Sequence, residues 1–300
     1  MTRLAGMVST LVALVAVVVI GPATATAAQS PNPKPVSGRN FVGAQIDASI
    51  DPYKQLNLLS TRVVNDGKTL NVWLVSRPKN CGGWDLATAK LPIADDGTFH
   101  GTLTFGTAPA NVRGTATFKG HFATTKRNGL VALTTIRSRF ASPNNCDTGT
   151  VHIKAISPRH GHKGGGQPAP NALFVGMTSQ SSARIEVKLP MLALISADGT
   201  KVKRFVADTN VRCKSGRPAG GLFRIRDIPI KDDAFNGVTG DTEPVQGTDR
   251  KRTIVLGATG TFGERILTGT WRVHQVETDP YSINDDCDTG DLKYVAARVR

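Results

Sequence analysis

The sequence predicts an all-β protein: two tandem antiparallel β-sandwich domains of one fold, with a partly closed barrel as the alternative architecture. Three observations carry this expectation. Short runs rich in Val, Ile, Thr and aromatic residues recur and end at Gly, Asp or Asn, while no long window after the N-terminal segment keeps a helical period. A set of landmarks repeats in one order along the chain. Two of the 4 cysteines fall inside the same word, "NNCDTGT" at Asn144–Thr150 and "DDCDTGD" at Asp285–Asp291.

The landmarks define the repeat. "FVG" stands at Phe41–Gly43 and at Phe174–Gly176, and an Asp-Gly turn precedes Cys81 and Cys213 by 15 residues each (Asp66-Gly67, Asp198-Gly199). "PIADDGTFHG" (Pro92–Gly101) returns as "PIKDDAFNG" (Pro229–Gly237). Gly120-x-Phe122 with Gly129 is matched by Gly260-x-Phe262 with Gly269, and the CDTG words follow. A period of more than 100 residues means whole domains rather than solenoid units.

In chain order, the first element is an export signal over residues 1–28. Arg3 precedes the apolar core Leu11–Ile20, and small residues lead to cleavage near Ala27 or Ala28. That core is too short to span a bilayer, and no later stretch approaches its length. A polar tail follows at 29–39. The first domain is expected over 40–157, with strands in "LNVWLV" (Leu70–Val75), "GTLTF" (Gly101–Phe105), "TATFKGHF" (Thr115–Phe122), "LVALTTI" (Leu130–Ile136) and "VHIKAI" (Val151–Ile156). A flexible Gly/Pro linker is expected over 158–171. The second domain, 172–300, carries strands in "ARIEVKL" (Ala183–Leu189), "TIVLGATGTF" (Thr253–Phe262) and "TGTWRVHQV" (Thr268–Val276).

Four cysteines in an exported chain favour two disulfides, although spacing alone permits three connectivities. If the repeat is a domain, the economical pairing is Cys81–Cys146 and Cys213–Cys287. Zinc is the rival reading, but every cysteine stands alone rather than in close pairs.

The net charge of +14 is uneven: residues 29–157 hold 15 Lys/Arg against 7 Asp and no Glu, whereas 172–300 hold 19 against 16. A basic exported protein is drawn to polyanions, and the first domain is the expected contact surface for an anionic cell-wall polymer or another extracellular polyanion. Specific nucleic-acid binding is not expected, because "KVKR" (Lys201–Arg204) and "RKR" (Arg250–Arg252) lack interleaved aromatics.

Catalytic and cofactor motifs are missing: no G-x-S-x-G, H-E-x-x-H, P-loop or dinucleotide fingerprint appears. The alternating carboxylates Asp286, Asp288 and Asp291 form a weak calcium candidate without full EF-hand spacing. His160-x-His162 lacks a third ligand. His100, His121, His152 and His274 read as structural or surface residues. Asp95-Asp96 and Asp232-Asp233 would suit a carboxylate-based polysaccharide hydrolase only across a cleft, and turns are the expected role. Trp73 and Trp271 read as core, and Trp84 as an exposed aromatic.

The second copy resembles a recurring disulfide-containing β-domain of exported bacterial proteins of unknown function. Phe174, Gly176, Thr178, Ser179, Gln180, Cys213, Gly260, Phe262, Cys287 and Gly290 fit its outline. The first copy departs, with "AQID" where "MTSQ" would stand. The resemblance implies an extracellular β-domain and no activity. The expected function is therefore a non-catalytic binding or structural role at the cell envelope or outside it, with a cell-wall or polysaccharide hydrolase as the alternative.

Overall fold

The computed structural model describes residues 33–46, 56–77, 85–107, 112–126, 128–140, 147–158, 165–182, 185–245, 249–279 and 282–299. The expected export signal, Cys81, Trp84, Cys146, His160 and His162 lie outside the described residues. Among those described, strands make up the regular structure and no helix occurs, in agreement with the all-β expectation.

The first sheet contains β1 (Asn40–Ile46), β2 (Leu56–Val64), β3 (Thr69–Arg77), β4 (Asp85–Pro92), β5 (Thr98–Thr107), β6 (Val112–Thr125), β7 (Gly129–Phe140) and β8 (Val151–Ile156). Its order is β4-β3-β2-β1-β8-β7-β6-β5, so the meander curls until β8 meets β1. Between β4 and β5 the described pairing is the bridge Ile93–Phe99.

The second sheet contains β9 (Leu173–Ser181), β10 (Lys188–Ile195), β11 (Lys201–Cys213), β12 (Pro218–Lys231), β13 (Ala234–Pro244), β14 (Lys251–Phe262), β15 (Ile266–Asp279), β16 (Ser282–Asp288) and β17 (Leu292–Arg298). Because β10 pairs with both β9 and β11, this sheet closes on itself. The chain forms two antiparallel sheets, in agreement with the all-β expectation, and the second, closed through β10 and β11, follows the barrel alternative rather than the face-to-face sandwich. With β16 set aside, the order β12-β11-β10-β9-β17-β15-β14-β13 runs strand for strand as in the first sheet.

Alternation sends apolar side chains inward. Phe41, Phe99, Phe118 and Phe122 fill the first sheet, and Phe174, Phe205, Phe262 and Trp271 fill the second. Two repeated landmarks now have a physical cause. Gly120 lies opposite Phe99 and Gly260 opposite Phe235, and a Cβ on either glycine would strike the phenyl ring at 2.4 or 2.3 Å. The ring therefore covers the bare backbone that lets the sheet bend inward, an aromatic rescue of a strand glycine. Gly129 and Gly269 are not equivalent in this way. Gly129 sits in the β6–β7 hairpin turn with φ 64°, whereas Gly269 lies mid-strand opposite Gly260.

A third apolar cluster lies where the two sheets meet. The outer faces of β1–β3 contribute Val42, Leu56, Leu58, Trp73 and Val75, and those of β9–β11 contribute Leu173, Val175, Leu192, Leu194 and Val206. Hence "LNLL", "LFVGM" and "PMLALI" are apolar on both faces, unlike "VHIKAI", whose pattern alternates buried and exposed. "ARIEVKL" departs from its strand expectation. The strand starts only at Lys188, Glu186 has φ 53°, and Ile185 and Val187 enter the inter-sheet cluster from a turn that mimics strand periodicity.

Close backbone approach fixes Gly176. A Cβ there would lie 2.2 Å from the Val295 carbonyl oxygen on β17. Gly176→Ala is expected to lower stability by about 1–3 kcal/mol, read by thermal denaturation.

Candidate functional site

The described residues form a concavity of about 1080 Å³ on the outer face of β5–β8. Register explains its composition. Outward residues lie side by side across four strands in the row His100–Lys119–Thr135–His152. A second row, Thr98–His121–Leu133–Lys154, runs beside it. His100, Lys119, His152 and Lys154 are exposed and His121 is half-buried. Five basic side chains thus face one hollow whose described lining holds no Asp or Glu.

Local contacts hold the hollow's polar groups in place. Thr135 Oγ1 lies 3.2 Å from His152 Nδ1, which leaves Nε2 for an incoming group. At the rim, Asp96 accepts the Thr98 N–H at 2.9 Å and its hydroxyl at 2.6 Å. Each imidazole offers an N–H donor and each lysine an ammonium, so the surface can hold an anion by charge-assisted hydrogen bonds. The corresponding row of the second sheet reads Asn236–Thr259–Thr270–Lys293, where Thr259 and Thr270 hydroxyls bond each other at 2.7 Å. The basic hollow therefore belongs to the first sheet, which also carries the larger charge excess.

The Asp-Thr-Gly parts of the CDTG words, Asp147–Gly149 and Asp288–Gly290, occupy equivalent places before β8 and β17, and their bonding repeats. Asp147 accepts the Gly149 N–H at 2.8 Å, and Asp288 accepts that of Gly290 at 2.7 Å. The next hydroxyl, Thr148 or Thr289, accepts a backbone N–H of the preceding long strand at 2.9 Å. Both glycines have positive φ, 65° and 61°. An arginine from β7 or β15 forks onto each carboxylate: Arg137 onto Asp147 at 2.6 Å and Arg272 onto Asp288 at 2.5 Å. The Arg137 hydrogen bond holds the Asp147 carboxyl down at about 2, and Arg272 likewise lowers that of Asp288. Such a depressed group contributes above the ordinary carboxylate pKa and ceases to as pH falls through its folded value. Asp288→Asn is expected to cost roughly 1–2 kcal/mol at neutral pH, measured by denaturant titration.

The other sequence candidates are placed as follows. Asp286 pairs with Lys214 and with His274 Nε2, each at 2.8 Å, and Asp288 with Arg272, while Asp291 is exposed in the loop before β17. Cations thus already occupy two of the three carboxylates proposed for calcium. The one described group of potential metal ligands is Cys213, Asp285 and Cys287, but the two sulfurs are joined as a disulfide across β11 and β16. Asp95-Asp96 and Asp232-Asp233 lie in turns, the latter pair with φ 48° and 60°. Trp271 is core, its N–H donated to Thr209 Oγ1 at 2.9 Å. Trp73 is buried between the sheets and donates its N–H to Asp208 Oδ2 at 2.5 Å.

Sequence reasoning assigned His100, His121 and His152 one by one and missed their convergence. The available signal was their outward parity in strands that pair, which depends on register and not on spacing.

No helix of the described residues is long and apolar enough to cross a membrane. Away from the apolar seam where β1–β3 meet β9–β11, the strands point apolar residues inward and polar ones outward. No family model and no curated protein matches the chain. Among solved structures, a "putative outer membrane protein" from Bacteroides fragilis NCTC 9343 is similar at 14% identity. The match covers 87% of this chain and 95% of that one, with a TM-score of 0.21, and a likeness that slight carries no argument.

Proposed function

We propose that the protein is an exported, non-catalytic binding protein of the bacterial cell envelope or extracellular space, and that it contacts an anionic polymer through the basic hollow on β5–β8. The observation that carries this reading is the convergence of His100, Lys119, His121, His152 and Lys154 in one concavity whose described lining has no carboxylate. The signal-like N-terminus supports export. The shared strand order and the repeated CDTG bonding support two domains of one fold, 40–157 and 172–300, derived by duplication.

The test is retention of the full chain on anionic wall material as salt is raised. Attraction of this kind is screened, so binding is expected to fall about tenfold or more between 50 and 200 mM salt. The exposed double reversal Lys119→Glu/Lys154→Glu is expected to abolish retention while leaving the melting temperature unchanged. Salt-independent retention, or full retention by the reversed variant, contradicts the proposal.

A further inference from the structure

We infer that the polymer held in this hollow is a polyol-phosphodiester chain, not a polyuronate. The inference rests on the anion-binding reading above and adds the chemical class.

The basic residues of the hollow are lysines and histidines, and no arginine stands among its described lining residues. Arginine's planar fork matches carboxylate and phosphate alike, so its absence does not separate the two, whereas lysine meets a phosphate as a point charge and an imidazole as a single directed donor. Such groups address the separate oxygens of a tetrahedral phosphate without needing two parallel bonds. Thr102 and Thr117 add hydroxyls on the same outward parity, and these supply short donors to phosphate oxygens.

Sugar rings find little purchase. Phe99 and Phe118 turn inward and are 1% exposed, so neither presents a face for stacking. The ligand must be gripped by its charges and not by a ring.

Spacing points the same way. Lys119 and His121 lie two residues apart along β6, and His152 and Lys154 two apart along β8, so each pair spans ~7 Å. The neutral strand β7, with Leu133 and Thr135, separates the two pairs by two interstrand spacings, ~10 Å. Charges joined by flexible polyol spacers can settle on both pairs, whereas charges borne on successive pyranose rings adjust their separation only through the glycosidic torsions.

The experiment titrates the full chain with poly(glycerol phosphate), polygalacturonate and a single-stranded oligodeoxynucleotide of matched charge number, at one salt concentration. Poly(glycerol phosphate) is expected to bind at least tenfold more tightly than polygalacturonate, with the preference lost in Lys119→Ala/Lys154→Ala. Equal or tighter polygalacturonate binding overturns the phosphodiester inference and leaves the anion-binding reading standing. Tighter binding of the oligodeoxynucleotide overturns the polyol source. No binding to any of the three overturns both readings.

Discussion

Replacing Cys213 and Cys287 together by serine is expected to lower the unfolding free energy by about 4 kcal/mol, the chain-entropy value for a bridge of this loop length. The bond joins residues separated by 74 positions, and both cysteines are buried. They face each other where the end of β11 meets β16, a strand outside the barrel circuit that otherwise hangs on β15. Without the bridge, β16 loses its covalent tie to β11, and the hydrogen bond of Ser215 N–H to Asp285 and the ion pair of Lys214 with Asp286 lose their fixed geometry. Denaturant titration of the double variant measures the loss, and hydrogen exchange should show it concentrated in β16. A loss below about 1 kcal/mol would contradict this account, since a net stability of only 5–15 kcal/mol makes the predicted change large.

The second large effect is a pH dependence located between the sheets. Burial raises the Asp208 carboxyl to about 6 against an ordinary value of 3.8, although Trp73 N–H and the Thr209 backbone N–H favour the charged form. Buried Arg204 lies on the same face of β11, two pairs of strand positions away. The folded state therefore holds a proton that the unfolded state releases between these two values. The associated stability is fully present below about pH 3.8 and is lost as pH rises through about 6, a span worth roughly 3 kcal/mol at 1.36 kcal/mol per unit. Asp208→Asn keeps an acceptor for Trp73 without the charge. It is expected to match the wild type near pH 4 and to exceed it by up to roughly 3 kcal/mol at pH 7.5. Acid-sensitive carboxylates such as Asp147 act equally in both proteins, so the difference between the two curves isolates Asp208. A difference that does not change with pH would refute the assignment.

Much of this architecture was legible because it is local. The Asp-Gly turns and the CDTG words are each set by a few neighbouring residues, and the sequence shows them twice, whereas the Phe over Gly pairs join two strands and emerge only from the register. The last strand of the first sheet is read from the alternation of "VHIKAI". What depended on distant pairing was harder to read. The continuous apolar runs at Leu56–Leu59 and Pro190–Ile195 mark strands buried on both faces, and with that rule the contact between the sheets was available from sequence. "ARIEVKL" misled because a turn that inserts Ile185 and Val187 into an apolar seam has the same alternation as a strand. The candidate site lay furthest from view. Its five basic residues come from β5, β6 and β8, and one residue of register slip would turn any of them inward. In both sheets the Asp-Thr-Gly of the repeated word acts as a clip that starts the following strand.

The central claim, that the hollow on β5–β8 is where a polyanion binds, is tested most directly by histidine-ring NMR of the full chain titrated with anionic wall polymer. Four described histidines serve as reporters: His100, His121 and His152 line the hollow, and His274 is bound to Asp286 on the second sheet. The account predicts that the three ring signals of the hollow shift with saturation while that of His274 stays in place. Movement of His274 alone, or saturable binding with all three hollow signals unmoved, would contradict it.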